Sequence, residues 1–154
     1  MYVKIPITNT LGETAAPLCR KLAGRGLRLN VTALLTLEQV SRIADMLGGG
    51  PPACISVFAG RVADTGIDPV VLMSRALEIL APYPNIELIW ASPRELLNIV
   101  QADSIGCHII TVTNDILSKL DLLGKNLTEY SLDTVRMFHR DAKASGFTLM
   151  APVA

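Results

Sequence analysis

Short runs of β-branched and other apolar residues alternate along this chain with longer stretches that have helical periodicity. Each run is apolar at consecutive positions, which is typical of a strand in a parallel sheet. The predicted strands span residues 2–7, 27–34, 54–58, 86–91 and 108–112. The pattern therefore predicts five strand–helix units of about 25 to 30 residues each, a usual length for one βαβ step.

The helix after the second predicted strand has clear start and stop signals. Thr36 is followed three residues later by Gln39, which has the form of a capping box, and Gly48 is a typical stop. We expect the helix between them to bury an apolar stripe. Its members are Val40, Ile43, Ala44 and Leu47.

Two further helices are predicted to begin with a capping residue followed by proline. Asp68 precedes Pro69, and Ser92 precedes Pro93 with a glutamate three residues after the serine. A last amphipathic helix is predicted over about residues 131–145. The helix that begins after Asp68 is predicted to bury Val71, Leu72, Ala76 and Ile79. The last helix is predicted to have an apolar face of Leu132, Val135 and Phe138.

Two α/β folds are compatible with five such units. A doubly wound open sheet would be complete at 154 residues, whereas an eight-stranded (β/α)8 barrel usually needs about 200 or more. Periodicity and length alone slightly favour the open sheet. The length allows one domain with a core, and no linker divides the chain, so we expect a single domain over residues 1–154.

Composition narrows the class of protein. The 14 basic and 14 acidic residues balance, so we expect no binding of nucleic acid or of an anionic membrane surface. No apolar run is long enough for a transmembrane helix, and the N-terminus lacks the pattern of a signal peptide. Cys19, Cys54 and Cys107 form no C-x-x-C pair, which favours reduced thiols over a disulfide or a metal site. These features predict a soluble cytoplasmic protein.

Polar residues in the first two strands are candidates for a functional site. Both folds place their sites at the carboxyl ends of strands. Lys4 lies in an otherwise apolar strand, either as an edge lysine that reaches solvent or as a desolvated amine that can attack a carbonyl. Asn30 and Thr32 are two residues apart and share a face. They are either polar neighbours at a sheet end or hydrogen-bonding groups that face the same cavity as Lys4.

A second group of candidates follows the third and fourth strands. Ser56 and Phe58 alternate onto one face, and Arg61 comes in the next loop. Ser92 and Arg94 lie at a predicted helix N-terminus, where backbone N–H groups favour an anion. Ser92 is also explained as an N-cap alone, and both arginines as solvated loop residues. Two arginines beside a helix N-terminus would form a phosphate site.

Five segments, in this order and at this spacing, resemble the transaldolase family, and most closely the small-transaldolase branch that includes fructose-6-phosphate aldolase. The resemblance runs from the start of the chain to about Phe147. It implies a partial TIM (β/α)8 barrel whose five units correspond to strands four to eight, and it implies no cofactor. The segments are residues 3–8 (VKIPIT), 29–33 (LNVTA), 55–61 (ISVFAGR), 64–66 (DTG) and 90–94 (WASPR).

The resemblance also implies a role for each candidate residue. Lys4 would form a Schiff base with the carbonyl of a ketose such as fructose 6-phosphate, and breaking of the C3–C4 bond would leave a three-carbon enamine. Asn30 would bind the hydroxyl groups, and Thr32 would position a proton-relaying water. The enamine would then attack glyceraldehyde 3-phosphate or erythrose 4-phosphate. Ser56 would contact the bound three-carbon unit, and Phe58 would form a wall of the pocket. The phosphate of the substrate would be bound by Arg61, Ser92 and Arg94.

Several features leave alternatives to a complete transaldolase. Asn30 followed by Thr32 favours group transfer over a fructose-6-phosphate aldolase-type lyase, and Pro93 stands where the family often has a bulky residue. The family's first-strand aspartate, its Thr-Thr-Asn-Pro segment and its acid/base residue have no counterpart here, so we expect a chain truncated at its N-terminus. An inactive fragment or assembly subunit is therefore a third alternative. We expect a homo-oligomer, with the last helix as a candidate contact.

Overall fold

The computed structural model describes residues 1–146 as parallel strands that alternate with helices. The predicted α/β class with five strand–helix units is confirmed. The strands are β1 (Val3–Pro6), β2 (Leu29–Leu34), β3 (Ala53–Val57), β4 (Ile86–Trp90) and β5 (Ile109–Ile110). The helices are α1 (Ala16–Ala23), α2 (Leu37–Leu47), α3 (Ala59–Ala63), α4 (Pro69–Leu80), α5 (Leu97–Ser104), α6 (Asn114–Leu117) and α7 (Leu127–Ala144), with a 3-10 turn at Leu120–Leu122.

The strands pair in chain order, β1-β2-β3-β4-β5, and every pair is parallel. A doubly wound sheet reverses its strand order at a switch point, and the described strands contain no reversal. The doubly wound order that periodicity and length favoured is therefore wrong for the described strands. Right-handed crossovers that always step in one direction place their helices on the same side, so the two faces of this sheet have different surroundings.

One face of the sheet packs against the helices. Ile5, Val31, Ile55 and Leu88 occupy one row across β1 to β4, and all four are buried. Burying one such side chain contributes roughly 1.5 to 3 kcal/mol, so this row anchors the helices to the sheet. The predicted core positions of α2 are confirmed as buried in the same cluster: Val40, Ile43, Ala44 and Leu47.

The predicted limits of α2 are also confirmed. The Thr36 hydroxyl accepts a hydrogen bond from the backbone N–H of Gln39 at 3.2 Å, and the Gln39 side chain accepts one from the backbone N–H of Thr36 at 3.2 Å. The helix ends at Leu47, and Gly48 is its C-cap. The capping box thus satisfies two donors that the first helical turn leaves without partners.

Helix α4 starts as predicted, and three of its four predicted apolar positions face the core. The Asp68 carboxylate accepts from the backbone N–H of Val70 at 2.9 Å, and Pro69 is the first helical residue. Met73 is buried, whereas Val71 is 62% exposed, so the prediction that Val71 belongs to the core is wrong. Ala76 is buried as predicted, and the other two predicted positions, Leu72 and Ile79, are half-buried against the core.

The remaining described residues belong to a second compact unit that begins at Ser118. Its main element, α7, begins at Leu127 after the Asn126 cap, four residues earlier than predicted. Leu132, Val135 and Phe138, the predicted apolar face of this helix, are exposed. Among residues 1–146, no helix combines the length and the apolar character that crossing a membrane requires.

Candidate functional site

The face of the sheet opposite the packed row carries four of the eight candidate residues, and we call it the polar face. Its members alternate along the strands with residues of the packed face. In this register Asn30 pairs with Lys4 on one side and with Cys54 on the other. The polar face consists of Lys4, Pro6, Asn30, Thr32, Cys54, Ser56, Glu87 and Ile89.

Lys4 lies on β1, which is an edge of the described sheet, and its side chain is exposed. Its register partner is Asn30, so the two residues stand on neighbouring strands about 4.8 Å apart and point to the same side. The exposure matches an edge lysine that reaches solvent. The register also places the amine on the same face as the polar residues of β2, as a shared cavity requires.

Asn30 and Ser56 are joined by a hydrogen bond between adjacent strands. The Ser56 hydroxyl donates to Asn30 Oδ1 at 2.7 Å, and Ser56 itself is 2% exposed. Because the carboxamide oxygen is held by Ser56, the N–H donors of Asn30 point away from that serine. This bond fixes the orientation of a polar side chain directly beside Lys4.

A β-bulge next to Thr32 sets the direction of the end of β2. Ala33 has a left-handed backbone with φ of 66°, and the β2–β3 register shifts between Val31 and Leu34. The shift turns Leu34 into the packed core, where strict alternation would have placed it on the polar face. Thr32 is 8% exposed, and its Oγ1 is buried without a hydrogen-bond partner among residues 1–146. Such a hydroxyl can hold a water or a ligand group.

Phe58 and Arg61 lie close together just after β3, but Arg61 belongs to the short helix α3, so the prediction that it lies in a loop is wrong. The guanidinium carbon of Arg61 lies 5.6 Å from the centre of the Phe58 ring, within the range of a cation–π contact. Phe58 also packs against the small apolar cluster of the polar face. The aromatic ring therefore contacts both the apolar cluster of the polar face and the Arg61 cation of α3.

The predicted role of Ser92 as a helix N-cap is wrong. Helix α5 begins at Leu97, and Ser92 has a left-handed backbone with φ of 61°, whereas an N-cap residue is extended. The physical reason lies in Gly60, because a β carbon there would be only 1.6 Å from the Ser92 carbonyl oxygen. The close backbone contact between Gly60 of α3 and Ser92 thus sets the path of the chain through Ser92.

Two backbone N–H groups near the predicted helix N-terminus, those of Arg94 and Glu95, have a partner within the chain. Asn98 Oδ1 accepts from the backbone N–H of Arg94 at 2.7 Å and from that of Glu95 at 3.2 Å. These donors are already used within the chain. Asn98 is a buried polar residue that the sequence analysis missed, and its spacing of four residues from Arg94 was the available signal.

Arg94 makes a second set of bonds through its guanidinium group. Nε donates to Asp64 Oδ1 at 3.1 Å, and Nη2 donates to Asp64 Oδ2. Arg94 Nε also lies 3.3 Å from where a β carbon on Gly60 would be, so Arg61 and Arg94 flank one loop contact. The structure therefore groups Lys4, Asn30, Thr32 and Ser56 on the polar face, and Phe58, Arg61, Ser92 and Arg94 at the carboxyl ends of β3 and β4.

The cysteines are poor candidates for nucleophiles. Burial raises the pKa of Cys19, Cys54 and Cys107 above the usual value for a thiol. The Glu87 carboxylate further raises the pKa of Cys54 on the polar face. A thiol that stays protonated is a weak nucleophile. In the part of the chain that the structure describes, no cluster of three or more metal-binding side chains occurs.

Comparison with known proteins gives a consistent family. The probable transaldolase of Methanococcus maripaludis is 31% identical over 121 residues, which cover 78% of this chain and 53% of the relative. That of Nitrosopumilus maritimus is 29% identical over 135 residues, covering 86% and 56%. Probable transaldolase 2 of Listeria monocytogenes is 31% identical over 121 residues, covering 78% and 52%. The chain spans about half the length of the curated relatives it matches.

The family model described as transaldolase/fructose-6-phosphate aldolase extends over nearly the whole sequence. It matches residues 1–149. This range includes all five strands and every candidate site residue described above. The chain therefore belongs to the transaldolase/fructose-6-phosphate aldolase family.

Proposed function

We propose that this chain carries the Schiff-base lysine of a transaldolase-type reaction that transfers a dihydroxyacetone unit between sugar phosphates. The proposal rests chiefly on Lys4, which is the register partner of Asn30, and on Ser56, which bonds Asn30 at 2.7 Å on the same face. Family membership supports the reaction type. The sheet is then part of a (β/α)8 barrel, with β1 to β5 as barrel strands four to eight, because its strands pair in chain order as those of a barrel do.

The proposed chemistry begins with attack of Lys4 Nζ on C2 of a ketose such as fructose 6-phosphate. Loss of water gives a protonated imine. The C3–C4 bond then breaks, its electron pair forms an enamine, and the C4 hydroxyl loses its proton as glyceraldehyde 3-phosphate leaves. The enamine attacks an acceptor such as erythrose 4-phosphate, and hydrolysis of the new imine frees the lysine. These steps require no cofactor.

Asn30 and Thr32 are the proposed partners of Lys4 in this sequence. The free N–H donors of Asn30 bind hydroxyls of the three-carbon unit, while Ser56 holds the amide in place. The buried Oγ1 of Thr32, which lacks a partner among the described residues, holds the water that moves protons. The side chains assigned to the rest of the substrate are Phe58 as an apolar wall, and Arg61, Ser92 and Arg94 as phosphate ligands.

A productive pocket needs more protein than the five described strands. Schiff-base chemistry is favoured in a pocket that excludes water, whereas Lys4 is exposed on an edge strand of the described sheet. We assign the complete site to a cytoplasmic homo-oligomer in which residues 1–154 act as a single domain. Support for association comes from α7, whose apolar residues Leu132, Val135 and Phe138 are all exposed.

Borohydride trapping tests the proposal directly. The chain is incubated with fructose 6-phosphate and reduced, and the adduct is located by intact mass and peptide mapping. A three- or six-carbon adduct on Lys4 is expected, and it should be lost in Lys4→Ala but kept in Lys143→Ala, which removes a lysine of α7 instead. An adduct on another lysine, or none from a chain shown to be folded, would rule out this mechanism for the chain.

A fructose-6-phosphate aldolase-type lyase is the second candidate, because the description of the matching family covers both activities. The two differ in the fate of the enamine, which is either captured by an acceptor or protonated. Release of glyceraldehyde 3-phosphate from fructose 6-phosphate is measured with and without erythrose 4-phosphate. Sustained release only with the acceptor supports transfer, whereas equal release without it supports the lyase.

A further inference from the structure

Asp64 and Arg94 form a carboxylate–guanidinium pair between two loops that are 30 residues apart in sequence. The carboxylate accepts from Nε and from Nη2, which is the side edge of the guanidinium group. A guanidinium carries five N–H donors, so three remain for another ligand. One N–H of Nη1 and the remaining N–H of Nη2 form the end-on fork that matches the oxygens of a phosphate, and the second N–H of Nη1 points to the other side.

Arg94 is also held at its backbone. Asn98, which is 6% exposed, accepts from the Arg94 N–H at 2.7 Å, and its own amide donates to Gln101 Oε1 at 2.9 Å. The guanidinium group of Arg94 is held by Asp64, and its Nε would lie 3.3 Å from a β carbon on Gly60, a tight contact that glycine avoids. The side chain is therefore fixed at both ends before any ligand arrives, and a fixed side chain loses less conformational freedom on binding.

We propose that Asp64 is a positioning residue that presents the free fork of Arg94 to the phosphate group of a sugar phosphate. This inference rests on the proposed function, because that function supplies the phosphate. Asp64 also places a negative charge near the anion, but the pair is about half exposed, and solvent screens that repulsion. Bidentate binding of a phosphate depends more strongly on the orientation of the guanidinium plane.

The test measures anion affinity in the full chain rather than activity. Isothermal titration calorimetry at fixed ionic strength gives the Kd of inorganic phosphate and of fructose 6-phosphate for the unmodified chain, Asp64→Ala and Asp64→Asn. Asp64→Ala should weaken both ligands by about tenfold. Asp64→Asn should fall between, because its amide oxygen still accepts one N–H bond. Asp103→Ala removes an exposed carboxylate of α5 without touching the pair and should leave both affinities unchanged.

Arg94→Ala separates this inference from the proposed function. If Arg94→Ala loses phosphate binding while both Asp64 variants bind as tightly as the unmodified chain, or more tightly, Asp64 does not position the arginine. If Arg94→Ala binds phosphate normally, or the unmodified chain binds neither ligand, the phosphate site itself is misassigned and the inference fails with it. Trapping of unphosphorylated dihydroxyacetone on Lys4 should be equal in all variants, which tests the lysine chemistry independently.

Discussion

Gly60 and Ser92 approach each other so closely that a β carbon on Gly60 would lie 1.6 Å from the Ser92 carbonyl oxygen and 2.7 Å from its carbon. The backbone N–H of Gly60 also reaches the Ala91 carbonyl at 3.4 Å. Helix α3 and the loop after β4 are therefore in direct backbone contact. Arg61 and Arg94 flank this junction, so its geometry sets the spacing of the two candidate phosphate ligands.

Gly60→Ala should push α3 and the loop after β4 apart. The added methyl group meets main-chain atoms, which cannot rotate away as a side chain could, so we expect a loss of about 2 kcal/mol or more in the free energy of unfolding. Phosphate affinity should fall as well, because both arginines move. Urea denaturation and calorimetry measure the two effects.

Gly24→Ala is the matched control, because Gly24 has a right-handed backbone with φ of −62° and its nearest neighbour would be 3.3 Å from a new β carbon. Its stability should change by less than about 1 kcal/mol. Equal stability of Gly60→Ala and Gly24→Ala would show that the loop junction yields easily and does not fix the site.

Elements governed by local contacts were predictable from the sequence. The capping box of α2 involves only Thr36 and Gln39, and both the helix start and its buried stripe follow from residues within a few positions of each other. The same pattern at Ser92 failed, because the backbone there is set by Gly60, which is 32 positions earlier in the chain. The sequence showed a serine, a proline and a glutamate in the order of a helix cap. It did not show that Gly60 of α3 lies against the serine.

Some residues of the candidate site were likewise predictable from local patterns, and others were not. Alternation was enough to place Asn30 and Thr32 on one face of β2, because period-two alternation is a local rule. That Ser56 lies on the same face follows from the register between β2 and β3. The pairing of Arg94 with Asp64 depends on a contact between segments 30 residues apart, whereas the bond from the Arg94 N–H to Asn98 is local and was missed. Polar side chains in loops find partners that periodicity cannot indicate.

Thr36→Ala should destabilise the chain by about 1 kcal/mol, because it removes the hydroxyl that accepts the Gln39 N–H at the start of α2. Thr36→Ser retains the hydroxyl and should lose only a small part of that stability. Chemical denaturation of the three proteins gives the comparison. Equal losses in the alanine and serine variants would mean that the methyl group of Thr36, rather than the capping bond, stabilises the helix.

The hydrogen bond between Ser56 and Asn30 should appear as an energetic coupling. Ser56→Ala leaves the Asn30 carboxamide oxygen without its donor in a largely buried position, and we expect a cost of about 1 to 2 kcal/mol. Asn30→Ala should cost a similar amount, but the double variant should cost less than the sum because the two changes remove the same bond. Additive losses within experimental error would show that the bond contributes no stability.

The ion pair between Lys125 and Asp133 in the second compact unit predicts a loss of stability in acid. The Lys125 ammonium donates to Asp133 at 2.6 Å and holds the pKa of that carboxyl below its usual range. A carboxyl whose pKa is lower in the folded chain stabilises it above the unfolded pKa, about 3.9, and this contribution disappears as pH falls through the folded value. The thermal stability of the unmodified chain should therefore exceed that of Asp133→Asn at neutral pH, and the difference should shrink in strong acid. High salt should reduce the difference because the pair is exposed. Asp141→Asn is the control, because it removes a carboxylate from the same helix without breaking this pair. If the stability of Asp141→Asn depends on pH as that of Asp133→Asn does, the net charge of the chain, rather than the Lys125 contact, causes the loss of stability in acid.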